Sequence, residues 1–261
     1  MDLKTQNWKN FIDQHLYAWH GVWTKYTPEG CVEESFHGLR NFESNSDKTE
    51  IYHLNKYIYA EDNVEEKSWT YYQSANSLSD GIFHPQAEVM RAYFFPSGHA
   101  IWSVTQLPSE AYFVMELFFR YQHLKHSVGI IYDDKGSLFR TANIREDSTG
   151  YPSDYWSTEL EQLSQRDLPQ NCQGTSITIT PNLQISEPVT TQFNWSWEGN
   201  KTFFLPDGVS ISCPEQVTIG NAFDCVVNWL INEIEMHQLI AHYDISGKFE
   251  FLTLQRYELK Q

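Results

Sequence analysis

Apolar and polar residues alternate with a period of two along most of the chain, the pattern of half-buried strands. In the first half it predicts strands over 19–27, 31–42, 49–60, 66–73, 86–95, 99–106, 111–121, 126–133 and 137–145. Turn residues separate them, among them Pro28-Glu29-Gly30, Pro96-Ser97-Gly98 and Asp133-Asp134-Lys135-Gly136. Two stretches depart from this period, the N-terminus and the middle of the chain. Trp8, Phe11, Ile12 and Leu16 fall at helical spacing within 7–16 and predict a short amphipathic helix over a barrel end. Residues 147–171 are polar and turn-rich, with a short helix expected over 156–165. Strands resume near 173–180, 183–186, 189–197, 201–205, 209–212, 223–234, 237–243 and 248–258. The fold class is all-β.

The second half echoes the first. Tyr132-Asp133, Gly136 and Arg145 recur as Tyr243-Asp244, Gly247 and Arg256, every pair 111 residues apart. Upstream, Phe94-Phe95-Pro96-Ser97-Gly98 answers Phe203-Phe204-Leu205-Pro206-Asp207-Gly208, and Gly21 to Pro28 faces Gly174 to Pro181. This is a degenerate duplication. It divides the chain into 1–147, with the N-terminal helix, and 148–261, a shorter repeat lacking a counterpart of roughly 45–88. Each Asp-x-x-Gly turn supplies the left-handed position a tight hairpin needs.

The first predicted strand begins Trp19-His20-Gly21-Val22-Trp23. Alternation places Trp19, Gly21 and Trp23 on one face, where Gly21 leaves room for the lead-in and Trp23 plugs the barrel end. Arg145 is expected over the Trp23 indole, an attraction of about 0.5–2 kcal/mol. Arg256 has no tryptophan at the matching place, so it either finds another partner or serves Trp23 itself.

Gly-x-Trp opening a first strand, with an arginine in the last, resembles the start of lipocalin-like (calycin) barrels. The chain resembles in particular a cyanobacterial and plastid-lineage family, domain of unknown function 3598. The resemblance runs through Gly21-Val22-Trp23-Thr24-Lys25-Tyr26-Thr27-Pro28, Val89-Met90-Arg91, Met115-Glu116, and Leu205-Pro206-Asp207-Gly208 followed by Gly247 and Arg256. It implies lipocalin-like antiparallel β-barrels and brings no settled activity. More distantly the chain is similar to the S-type phycobiliprotein lyases, which implies tetrapyrrole handling. The Thr24-Lys25-Tyr26 continuation departs from their basic, serine-containing one.

Composition narrows the function classes. A formal charge of −16 opposes binding to nucleic acid phosphates or an anionic membrane. No apolar run predicts membrane insertion, and the N-terminus lacks the regions of a secretion signal, so the expected location is cytoplasmic. Four cysteines, none in a Cys-x-x-Cys pair, read as reduced core residues.

The candidate chemistry sits on the strand Phe113 to Tyr121, whose even positions are Val114, Glu116, Phe118 and Arg120. If that face lines a cavity, Glu116 is a carboxylate in apolar surroundings, suited to proton transfer, with Arg91 as counter-charge. His53, Tyr57, Tyr59, Tyr72 and Trp102, with Phe118, are the expected ligand-binding surface for a flat conjugated molecule. His123, His126, His237 and His242 read as exposed turn residues, so no metal site is expected, and no cofactor motif is present. The leading expectation is a barrel that binds a lipophilic or conjugated small molecule. A cofactor-free cyclase or isomerase and a tetrapyrrole lyase or carrier are the alternatives, and a homodimer is an open arrangement.

Overall fold

A computed structural model of the chain describes residues 1–60, 63–164, 172–193 and 198–259. Helix α1 (Leu3–His15) leads into β1 (Ala18–Tyr26), β2 (Val32–Ser44), β3 (Glu50–Ala60) and β4 (Asn63–Tyr72). A single turn, α2 (Gln73–Asn76), then passes to β5 (Ser77–Leu78), β6 (Gly81–His84) and β7 (Ala87–Phe94). Three long strands close this half: β9 (Phe113–Tyr121), β10 (Leu124–Tyr132) and β11 (Leu138–Asp147), preceded by the short β8 (Ala100–Val104). All pair antiparallel in the order β4-β3-β2-β1-β11-β10-β9-β8-β7-β6-β5. The sheet curls until Trp69 and Tyr71 of β4 meet His84 of β6 and Trp102 of β8, with ring centroids 4.9–5.9 Å apart.

The second sheet holds β12 (Gln173–Ile179), β13 (Val189–Gln192), β14 (Asn200–Phe204), β15 (Val209–Pro214), β16 (Phe223–Asn232), β17 (Glu235–Tyr243) and β18 (Phe249–Glu258). Its order, β13-β12-β18-β17-β16-β15-β14, repeats β2-β1-β11-β10-β9-β8-β7 of the first. The strands without counterpart, β3 to β6, span 50–84, where the sequence placed the extra length. The molecule is all-β, barrel-like and internally duplicated. Three details differ from the sequence expectation. The pair β5–β6 is additional, too short to show a period. Residues 183–186 contribute an isolated bridge, Ile179 to Ile185, rather than a strand. Residues 156–164 form no helix, and residue 165 lies outside the described residues, as does 194–197 of the strand expected to end there.

Helix α1 starts earlier than its apolar period because Asp2 caps it, Oδ1 accepting from Thr5 N at 2.8 Å. Its inner face buries Trp8, Phe11 and Ile12 against the first sheet. Two asparagines on that face finish β7 where β6 has ended. Asn7 Oδ1 accepts from Phe94 N at 2.8 Å, and Asn10 Nδ2 donates to Phe94 O at 2.8 Å. An edge that would otherwise be buried unpaired is thereby satisfied.

The two halves share one core. Along β9 the odd residues Phe113, Met115, Leu117 and Phe119 are buried against the second sheet. Phe113 and Tyr132 are cross-strand partners, and so are Phe223 and Tyr243. The two pairs meet at the centre, with Phe113 5.9 Å from Phe223 and 5.1 Å from Tyr243. The contacts around them come in matched twos. Leu107 N donates to Gly247 O and Val217 N to Gly136 O, both at 2.8 Å; Phe249 N donates to Thr105 O and Leu138 N to Glu215 O, both at 2.9 Å. The halves are therefore related by a pseudo-two-fold axis.

The repeated Asp-x-x-Gly turns are the pieces that dock. Gly136 and Gly247 have φ of +77° and +76°, as the sequence required. A Cβ on Gly136 would also lie 2.1 Å from Val217 O, and one on Gly247 2.6 Å from Leu107 Cβ. The glycine is thus demanded twice, by the turn and by the neighbouring half.

Candidate functional site

Because the odd residues of β9 pack against the second half, its even residues look into the first half's own interior. There the curled sheet encloses a cavity of about 240 Å³ to which every strand but β5 contributes a side chain. Its walls are aromatic: Trp23, Trp69, Trp102, Tyr57, Tyr71 and Phe118. His53 lies between Phe42, at 3.9 Å, and Trp69, at 4.3 Å.

Four charged residues stand on this face, on β9, β2, β11 and β10. They alternate in sign. Glu116 Oε1 is 3.1 Å from Arg40 Nη2 and also accepts from Ser127 Oγ at 2.8 Å. Arg40 Nε is 3.3 Å from Glu146 Oε1, and Glu146 Oε2 is 3.1 Å from Lys125 Nζ. The two Glu146 contacts lie within ion-pair distance but are not aligned as hydrogen bonds. Arg40 also covers the Trp23 ring, its guanidinium carbon 4.8 Å from the centroid. Exposure falls along the series: the Glu116 side chain keeps 26 %, Arg40 6 %, and Glu146 and Lys125 none.

Burial sets the protonation states. It opposes the charge on Arg40, but Glu146 and Glu116 outweigh it and hold the guanidinium pKa above its ordinary value. For Lys125 burial wins over Glu146, Arg40 adds repulsion, and the ammonium is pushed down to about 7. Burial, aided by Arg40, keeps the His53 pKa well below its usual value, and burial takes His84 to about 4. His53 is therefore neutral at pH 7. With Nε2 donating to Asn55 Oδ1 at 2.9 Å, its Nδ1 is an acceptor with no partner among the described residues. Trp23 Nε1 and Trp69 Nε1 are buried donors without one. A ligand that accepted from the indoles and donated to His53 would find three waiting groups.

The expected residues divide. Glu116, His53, Tyr57, Trp102, Phe118 and Trp23 line the cavity. Arg91 does not. Its Nε donates to Asp80 Oδ2 at 3.1 Å and its Nη1 to Glu88 O at 2.5 Å, away from the interior, and Arg40 takes the place expected of it beside Glu116. Nor is Glu116 isolated in apolar surroundings, since both Arg40 and Ser127 hold it. Tyr72 is 48 % exposed, because Tyr71 is the inward residue of β4. Tyr59 lies beyond the cavity, packed on Phe36 at 4.7 Å. It lines a groove of about 360 Å³ between the outside of β1–β2 and residues 151–160. That groove is larger, yet the terminal nitrogens of its buried cation are already taken: Arg145 binds Asp207, Ser157 O at 3.2 Å and Glu159 O at 2.9 Å.

Arg145 thus has a different task from the one expected. It is the cross-strand neighbour of Val22, while Ile144 is that of Trp23, so the pleat turns Arg145 away from the indole. Its bonds pin the connection between the halves. Arg256 is exposed on β18 between Thr175 and His237 and meets no indole among the described residues. Gly21 does have the tight approach expected of it, a Cβ there falling 1.9 Å from Arg145 O. Gly174 repeats this at 2.1 Å from Arg256 O.

Two histidines expected in exposed turns are buried in strands instead. His126 Nε2 meets Asn143 Oδ1 at 2.6 Å, and His237 Nδ1 meets His99 Nε2 at 3.0 Å across the two halves. Among the described residues no three of His, Cys, Asp and Glu cluster as metal ligands, and no helix is long and apolar enough to cross a membrane. Sequence reasoning missed Arg40 and Lys125. The only signal for Lys125 was parity: it shares a strand face with Ser127, which sits across β9–β10 from Phe118.

The fold and cavity define a class, the barrel-like all-β proteins with an aromatic interior and a charged floor. A family model, domain of unknown function (DUF3598), N-terminal, matches residues 4–151, and the chain belongs to that family. Residues 151–259 match a second model, described as the C-terminal domain of biogenesis factor required for ATP synthase 1. A crystal structure of a DUF3598 protein of unknown function from Nostoc punctiforme has the same fold, with a TM-score of 0.71 at 18 % identity. The match covers 97 % of this chain and 99 % of that one. No curated protein matches the chain.

Proposed function

We propose that the first half binds a flat, conjugated small molecule with a polar end. The observation that carries this is the pairing of wall and floor: indoles and phenols packed edge-on and tilted around a charge series ending in Glu146 and Lys125. Aromatic faces favour planar π systems, and convergent polar groups fix one end of a ligand. The test is quenching of tryptophan fluorescence by cinnamyl alcohol, a small conjugated probe with one polar end. Saturable quenching is expected, weakened roughly tenfold in Trp102→Ala, about the 1.4 kcal/mol that one lost stacking partner costs. No saturation, with an unchanged melting temperature, overturns the proposal.

The match over 151–259 favours a second reading, a role in biogenesis of a multi-subunit complex, ATP synthase by the description of the matched domain. The chain would then act by holding a subunit, with the second half as the docking module. Its charge of −16 suits a basic partner surface. Full-length protein immobilised against purified ATP synthase subunits is expected to retain one of them in a salt-sensitive way. Retention of none at low salt removes this reading and leaves the first intact.

A further inference from the structure

We infer that Lys125 is a reactive amine, placed to form a reversible imine with a conjugated aldehyde held in the aromatic cavity. The inference rests on the cavity-binding reading and narrows its ligand class. It begins from placement. Lys125 is fully buried on the cavity face of β10, its Nζ 4.9 Å from the Trp19 ring centroid and 5.4 Å from that of Phe42. A leucine would fill such a place at less cost, since a buried ion pair is often no more stable than packed apolar side chains.

The charges around it keep the amine available. Glu146 of β11 is the one carboxylate in contact with it, and Glu116 of β9 is held by Arg40 and Ser127. Arg40 of β2, Arg120 of β9 (the cross-strand partner of Lys125, over the same Trp19 ring at 4.7 Å) and the neutral imidazoles of His15 on α1 and His53 on β3 are the other titratable groups that face it. Two cations sharing Glu146 cannot both be fully compensated. The guanidinium, which does not deprotonate, keeps its charge, and the lysine is the one to yield its proton. With the ammonium pushed down to about 7, a large share of Lys125 is the free amine at neutral pH.

The chemistry balances without any oxidant or reductant. The Nζ lone pair attacks the carbonyl carbon, a C–N bond forms, and the carbonyl π pair moves to oxygen, which takes a proton to give the carbinolamine. Glu146 is placed to take the two protons that leave nitrogen in turn, passing the first to the alkoxide and the second to the hydroxyl. The C–O bond then breaks, water leaves, and the imine remains; hydrolysis reverses each step. When the imine is protonated, Glu146 is its counter-ion. The aromatic walls select an aldehyde conjugated to a flat π system over an aliphatic one.

The test uses full-length protein with trans-cinnamaldehyde and sodium borohydride, which reduces any imine to a stable secondary amine. A single adduct is expected, heavier than the protein by the mass of the aldehyde less one oxygen. Peptide mapping should place it on Lys125, with trapping that rises as pH passes upward through about 7. Cinnamyl alcohol cannot form an imine and reports binding alone. Quenching by the alcohol with no adduct, or with adducts spread over surface lysines, overturns the imine and leaves the binding reading standing. Neither quenching nor adduct overturns both. Lys125→Met should lose the adduct altogether, while its quenching by the alcohol, weakened by the loss of one floor group, stays saturable because the aromatic walls remain. If unpaired Glu146 prevents that variant from folding, Lys125→Met with Glu146→Leu replaces both charges and serves the same comparison.

Discussion

Arg40 holds two carboxylates, Glu116 at 3.1 Å and Glu146 at 3.3 Å, and its plane covers Trp23. Arg40→Met would leave Glu146 facing Lys125 alone in a dry interior and strip Glu116 of its cation. We expect a loss of about 3–5 kcal/mol, the cost of breaking a buried pair from one side. Equilibrium urea unfolding reads it directly. Glu116→Gln keeps an acceptor for Arg40 and Ser127 and lies nearer solvent, so it should cost no more than about 1 kcal/mol. If the two variants were equally stable, the charge series would have no structural weight. The same residues mark how far the sequence could be read. Glu116 was legible because alternation fixed its face. The choice of Arg91 over Arg40 was not, because both lie on strands and only the curl of the sheet decides which one reaches β9. Lys125 was hidden because the expected strand began at 126 and left it in the preceding break, whereas β10 starts at Leu124.

At the scale of elements, strands were legible where they were long and alternating. They were lost where two or four residues pair, as in β5 and β6, or where a polar stretch promised a helix. Residues 151–160 need no helix because side chains hold them from outside. Arg145 takes Ser157 O and Glu159 O, while Trp156 donates Nε1 to Glu146 O at 3.0 Å and stacks on Trp229 at 5.4 Å. Arg145→Met should therefore release this connection and cost about 3–5 kcal/mol, because buried Asp207 loses its cation. Limited proteolysis would show new cleavage near 157–160, and protection equal to the parent protein would contradict the pin. The paired glycines make a sharper comparison. Gly21→Ala and Gly174→Ala force a Cβ to within 1.9 and 2.1 Å of a carbonyl on the adjoining strand. Each should cost at least about 1–3 kcal/mol, and the two should be alike if the repeats are equivalent.

Six imidazoles of the molecule, five buried and His84 partly so, are disfavoured from carrying charge. His15, His53, His84, His99, His126 and His237 all have pKa values held below the ordinary 6.5, chiefly by burial. The unfolded chain takes up these protons near pH 6.5 and the folded one only at lower pH, so unfolding gains protons as pH falls. The stability they contribute is complete above about pH 6.5 and is lost on acidification toward about 4. Each histidine adds a slope of up to about 1.4 kcal/mol per pH unit within that window. Urea midpoints should fall steeply between pH 6 and 4, and His99→Gln with His237→Gln should flatten the fall. An unchanged slope in that double variant would remove the pair at the junction of the halves as a contributor.

That junction also fixes the order in which the protein can become itself. Until the second sheet exists, Phe113, Met115, Leu117 and Phe119 have nothing to lie against on their outer side. A ribosome adding about 5–20 residues per second needs on the order of 5–20 s to supply the remaining half. For that interval the nascent first half presents a sticky sheet face, so the chain's most vulnerable moment comes during its own synthesis. Codon choice or a chaperone that shortens or shields the interval would govern its yield more strongly than the stability of the finished fold.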